Sequence, residues 1–228
     1  MFLWENYEHW LYYEPAGLKR LPPQDGLMVD IDIEKISWTT VYDRTGNWFN
    51  WTIGATATVT TWVKDINHSI DWNECSSSFI TYVPMYAAET IEVWFKYNSS
   101  NNWYVVCWTT WPRVVLQHNS GALYFTVRNP SDSDYFPYKI IGWFYTVWAW
   151  HHIVVYWDWS TTANAAKIYK NWELVWTTTA KTARTSDHTS DSTACAFSDW
   201  NCATFRKWNR ILTDKEIKYL YNNGYWIK

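Results

Sequence analysis

The residues best placed to do chemistry are carboxylates. In "VDIDIEK" (29–35), Asp30, Asp32 and Glu34 fall at alternate positions, which puts all three on one face of an extended strand. Two carboxylates about 5 Å apart, one nucleophile and one acid, are what retaining glycoside hydrolysis requires. On a strand at the edge of a sheet the same trio reads as an ordinary solvated face, and that reading is preferred. Glu89 and Glu92 in "ETIEVW" stand three apart, so a regular strand turns them to opposite sides. His151 and His152 are adjacent and also point apart, so they cannot serve one metal or one proton transfer, and His152 is expected to be a satisfied core side chain. His68, His118 and His188 are isolated. No Ser-His-Asp order, Gly-rich phosphate loop or paired C-x-x-C spacing occurs. No catalytic residue is expected.

The remaining composition narrows the classes. A net charge of −3 and a pI near 6.1 give no footprint for nucleic acid or an anionic membrane. No apolar run reaches the roughly 18 residues of a spanning helix. The start, "MFLWENYEHWLYYEP", carries Glu5 and Glu8 and no basic region, so it does not read as a secretory signal. A protein working outside a cell would then either have had its signal removed or leave by another route, such as lysis with a virion. Four cysteines (Cys75, Cys107, Cys195 and Cys202) are too few for a disulfide scaffold, although Cys195 and Cys202 could bridge if a hairpin joined them. Sequons at Asn50, Asn67 and Asn98 carry little weight in an Asn- and Thr-rich chain.

The elements that would position these groups are strands. "LMVDIDI", "SFITYV", "TIEVWFKY", "WYVVCW", "RVVLQH", "ALYFTV", "HHIVVYW", "AKIYK" and "ELVWTTT" have period-two or β-branched character. Turn chemistry separates them in "DRTGN", "NSSNN", "HNSG", "NPSDSD" and "DWSTTAN". Nine or more strands without a long intervening helix predict a sandwich or jelly roll. One helix is predicted at the C-terminal end. Thr213 is its N-cap, Glu216 completes a capping box, Ile217, Leu220 and Tyr221 form the apolar stripe, and Gly224 is the stop. Residues 1–25 form an aromatic, acidic arm ending in "LPPQD", with the domain starting near Gly26.

Four stretches then fall in a telling order: "VYDRTGNWFNWTIG" (41–54), "TIEVWFKYNSS" (90–100), "WAWHHIVVYWDWSTTANAAKIYKNWELV" (148–175) and "FRKWNRILTDKEIKYLYNNG" (205–224). Together they resemble the laminin G-like, or concanavalin A-like, jelly-roll family of bacterial surface proteins, glycosidase accessory modules and phage structural proteins. The resemblance implies an all-β, two-sheet antiparallel jelly-roll sandwich over 26–228, with a short C-terminal helix and the N-terminal arm. It also implies a Ca²⁺ ion near the early loop, with Asp43 and Asn47 at oxygen-bearing positions. The acidic residue usual before the closing strand is replaced by Ala203.

Against that pattern the tryptophans stand out. The chain has 21 Trp and only 7 Gly, and Trp48, Trp51, Trp159 and Trp172 fall where the resembled family carries Gly. Seven Trp (48, 51, 72, 103, 159, 172 and 200) directly follow Asn or Asp, so these pairs read as Asn-Gly-type turns with the second residue exchanged. The tryptophans are then a stacking surface on loop tips, covers for sheet edges, or glycines written as Trp through a UGA codon read under another code. An intact mass decides among these.

The function expected is a non-catalytic recognition module, binding a glycan or surface polymer at a cell or virion surface. Trp103, Trp108, Trp111, Trp159 and Trp172 are the candidate ligand contacts, stacking sugar rings while Asn, Asp and His orient hydroxyls. The alternative is a structural subunit or decoration protein of a virion or filament, linked to a neighbouring copy through the N-terminal arm. A glycoside hydrolase of the same fold ranks third.

Overall fold

The computed structural model describes residues 21–37, 40–52, 58–60, 69–72, 79–83, 86–97, 103–108, 113–119, 122–128, 134–140, 146, 149–158, 160, 162–179, 192–195 and 200–223. The first strands are β1 (Leu27–Ser37), β2 (Thr40–Asp43), β3 (Trp51–Thr52), β4 (Thr58–Thr60), β5 (Ser69–Trp72), β6 (Phe79–Val83), β7 (Glu89–Tyr97) and β8 (Trp103–Trp108). Then come β9 (Arg113–Asn119), β10 (Ala122–Arg128), β11 (Asp134–Ile140), β12 (Trp150–Trp157), β13 (Ala166–Lys170), β14 (Glu173–Thr177), β15 (Ser192–Cys195) and β16 (Trp200–Trp208), followed by helix α1 (Asp214–Asn223). All nine predicted strands are present. Of the strands beyond these nine, β16 ends in the closing-strand stretch of the resemblance, β2 to β5 and β15 are short, and β11 carries Pro137. Proline tolerates only the end of a ladder, and β11 lies at the end of the strand path.

Hydrogen bonding runs β11-β10-β9-β8-β15-β6-β3-β2-β1-β16-β7-β12-β13-β14, with β5 also paired to β16 and β4 to β5. Laid flat, β10 and β12 would sit about 48 Å apart, ten strand spacings of ~4.8 Å each. Instead the rings of Phe125 on β10 and Trp157 on β12 lie 5.7 Å apart. The path is therefore folded over into two facing sheets, the jelly-roll sandwich. Trp157, Val155 and Ile153 alternate into this interior and are essentially fully buried, with Val29, Ile31, Val93, Phe95 and Phe205 from neighbouring strands also buried.

The reverse face of the same strands is buried as well. Val154, Tyr156, Tyr169 and Trp208 pack against Leu212, Ile217 and Leu220 of the C-terminal segment and α1. Burial on both sides is why "HHIVVYW" is a continuous apolar run rather than an alternating one. The helix is short and needs this docking to be stable. Its capping box forms as predicted: Thr213 N donates to Glu216 Oε2 (2.8 Å) and Glu216 N to Thr213 Oγ1 (3.3 Å). Gly224 lies outside the described residues.

The stretch before β1 is strapped to the end of the closing strand and to α1. Trp208 Nε1 donates to Pro23 O (2.8 Å), Asn209 N to Gly26 O (2.9 Å) and Tyr219 Oη to Leu21 O (3.2 Å). Gly26 is at φ +70° with Asn209 Oδ1 close against its Cα, a conformation that favours glycine. Residues 1–20 of the expected arm lie outside the described residues.

Two expectations are corrected. β1 is no edge strand, because it pairs with β2 on one side and β16 on the other, and Asp30 is buried rather than solvated. Cys195 and Cys202 are not joined by a hairpin: Cys195 on β15 is registered opposite Cys107 on β8, while Cys202 on β16 faces Phe95 and Ile70.

Candidate functional site

The predicted carboxylates are locked into a buried row of charge. Register sets Asp30 of β1 opposite Arg206 of β16, and Arg206 opposite Glu92 of β7. Arg206 Nε donates to Asp30 Oδ1 and Nη1 to Glu92 Oε2, both at 2.8 Å. Arg44 Nη2 adds a second cation on Asp30 Oδ2 at 2.7 Å. At the other end His152 Nε2 lies 3.0 Å from Glu92 Oε1, with both side chains fully buried. Burial alone would raise the Glu92 carboxyl, but the guanidinium of Arg206 and the contact with His152 outweigh it and hold the pKa at about 2. A general acid needs the opposite shift. Asp30 and Glu92 thus act as structural anions. The side chains of Asp32 and Glu34 lie outside the described residues.

The sandwich side of the same strands holds a second buried pair. Lys207 Nζ lies 3.0 Å from Glu89 Oε1, both fully buried, and Tyr86 N donates to the same oxygen. Desolvation raises Glu89 and lowers Lys207, each toward its neutral form. Glu89 and Glu92 face opposite ways, as their spacing requires. So do the histidines. His151 tilts against Phe95 and its Nε2 meets Thr146 O at 3.1 Å, while His152 lies against Trp94 and Tyr221. Arg44 and Arg206 were missed in the sequence. The usable signal was "FRKW", two consecutive cations between Phe205 and Trp208, which a strand must turn to two buried faces.

In the early loop Asp43 acts as a knot. Its Oδ1 accepts from Asp30 N (2.9 Å) and Thr45 N (3.1 Å), and its Oδ2 from Thr45 Oγ1 (2.7 Å) and Phe49 N (3.3 Å). Asn47 Nδ2 donates to Met28 O (2.9 Å). A carboxylate has about four lone-pair sites, and four protein donors meet those of Asp43. This set does not fit a Ca²⁺ site, and the described residues gather no group of three or more His, Cys, Asp or Glu that could hold a metal.

Two tryptophans occupy glycine backbone. Trp48 and Trp172 both have φ +66°, where a Cβ crowds the following carbonyl at on the order of 1 kcal/mol. Asn171 (φ +49°) and Trp172 form the paired positive-φ turn of the β13–β14 hairpin. The turn is fixed to β12, with Asn171 N donating to His152 O (2.9 Å) and Asn171 Oδ1 accepting from His152 N (3.2 Å). Trp48 is 81% exposed and Trp172 40%, so burial offsets none of the strain at Trp48 and only part of it at Trp172. Over the Trp172 ring sits Lys218 Nζ of α1, 4.6 Å from the centroid.

The reading of all seven Asn/Asp-Trp pairs as turns is corrected. Trp51 sits in β3 and is 1% exposed, and Trp72, Trp103 and Trp200 end or begin strands. Of the candidate contacts, only Trp172 has a described side chain. Trp103 and Trp108 mark the two ends of β8, their side chains outside the described residues, and Trp111 and Trp159 lie outside altogether.

No family model matches the chain, and no curated protein matches it. Solved structures do. The receptor binding domain of botulinum neurotoxin D superposes with a TM-score of 0.71 at 12% identity, over 88% of this chain and 53% of that one. The serotype D ligand binding domain in complex with N-acetylneuraminic acid gives 0.68 at 12% identity, over 87% and 51%. A structure of botulinum neurotoxin type C, whose cell entry is dependent upon interaction with two ganglioside molecules, gives 0.66 at 16%, over 87% and 51%. The fold is shared. The chain spans about half the length of these binding domains, and the likeness is one of β-sandwich architecture.

Proposed function

We propose that the chain is a non-catalytic recognition module on a laminin G-like jelly roll, with a glycan or surface polymer outside a cell or on a virion as its partner. The observation that carries the reading is the pair of solvent-exposed tryptophans on left-handed turns. Folding gains little from an indole at either place, whereas a sugar ring stacks well on such a face. The neighbours support it by kind, since they are binding domains, one holding N-acetylneuraminic acid. Asp30, Glu89 and Glu92 support it too, being engaged inside the fold. Trp103, Trp108, Trp111 and Trp159 join Trp48 and Trp172 as proposed contacts. A glycan array probed with the chain tests the reading. Binding that falls in Trp48→Ala or Trp172→Ala is expected, and an array without binding overturns it.

A further inference from the structure

The hairpin tip carries more than an aromatic face. Trp172 is presented by a turn that Asn171 fastens to the backbone of His152 with two hydrogen bonds. Lys218 comes from α1, whose Ile217 and Leu220 are buried in the core and whose Asp214 accepts a 2.6 Å hydrogen bond from Tyr169 Oη on β13. Both groups are thus held on packed elements rather than on free loops, as a preorganised site requires. The Lys218 ammonium makes no ion pair among the described residues, although it is exposed.

We propose that Trp172 and Lys218 form a binding site for an acidic saccharide, the indole stacking on the sugar ring and the ammonium pairing with its carboxylate or sulfate. This rests on the glycan-binding reading and narrows it. A neutral sugar uses only the indole, whereas an acidic one also offers the exposed ammonium at the ring a counter-charge. A hydrogen bond to a charged group in such a place is stronger than a neutral one.

The test compares three soluble probes by calorimetry. They are an oligosaccharide ending in N-acetylneuraminic acid, the same oligosaccharide with that residue removed, and a sulfated oligosaccharide of similar length. The expected result is tighter binding of one or both acidic probes. Lys218→Gln should weaken that binding on the order of tenfold, with no change for the neutral probe, while Lys215→Gln serves as the unaffected control. Preference for carboxylate or sulfate identifies which anion is read. If the chain binds the neutral probe equally well, or if Lys218→Gln binds acidic probes like the parent, the acidic-site assignment is overturned while glycan binding stands. If no probe binds and the array is also blank, both fall together.

Discussion

Arg206 is the hinge of the buried charge row, and its removal should invert the contribution of Glu92 to the acid response of the protein. In the native chain the Glu92 carboxyl sits at about 2, against 4.5 for the free side chain. That is roughly two and a half pH units, or about 3 kcal/mol of stability at 1.36 kcal/mol per unit. Because the folded-state value is depressed, this stability is fully present above pH 4.5 and is lost as pH falls toward 2. Arg206→Met keeps the stem but leaves Glu92 fully buried with only His152 beside it. The expected loss at pH 7 is about 3–5 kcal/mol, a large part of a total of roughly 5–15 kcal/mol. An unpaired buried carboxylate is better protonated, so its folded-state pKa now exceeds the unfolded one. Relative to the parent, the variant should therefore recover part of its loss as pH drops from 7 toward 5. Glu92→Gln combined with Arg206→Met should recover most of the loss, since Asp30 keeps Arg44. Urea unfolding followed by tryptophan fluorescence at several pH values reads all of this. A loss below about 1 kcal/mol, a loss independent of pH, or a double variant no better than the single one would refute the reasoning.

Burial holds His151 at about 4, against 6.5 for the free side chain. The unfolded chain therefore takes up this proton first, and about 3 kcal/mol of stability should drain away as pH falls from 6.5 to 4; His151→Gln should flatten that limb. At Trp48 (φ +66°) Gly should be more stable than Ala by about 1 kcal/mol in thermal melts, and equal stabilities would argue against the left-handed turn. Thr213→Ala removes the hydroxyl half of the capping box, leaving the backbone N–H at 213 free to donate to Glu216, and should cost about 1 kcal/mol without altering glycan binding. Calcium should leave the melting temperature unchanged, since the Asp43 oxygens already hold four protein donors; a rise would restore the metal.

Much of the architecture was legible because its signals are local. Period-two runs and a Thr213–Glu216 box are each determined within a few residues, and the structure returns them nearly where they were read. The opposed directions of Glu89 and Glu92, and of His151 and His152, follow from strand periodicity alone. The Asn171-Trp172 turn also declared itself, because Asn before a bend asks for positive φ whatever comes next.

What the sequence could not determine is who sits opposite whom. "VDIDIEK" looks like a solvated face until β16 and β2 close on both sides of it and Arg206 and Arg44 reach Asp30. Those partners lie 176 and 14 residues away, and no local pattern encodes that distance. The same holds for tryptophan. Trp51 and Trp48 both follow Asn, yet one fills the core and the other stands in solvent. Strand order and sheet closure decide which, because burial is a property of the neighbours a fold supplies rather than of the residue itself.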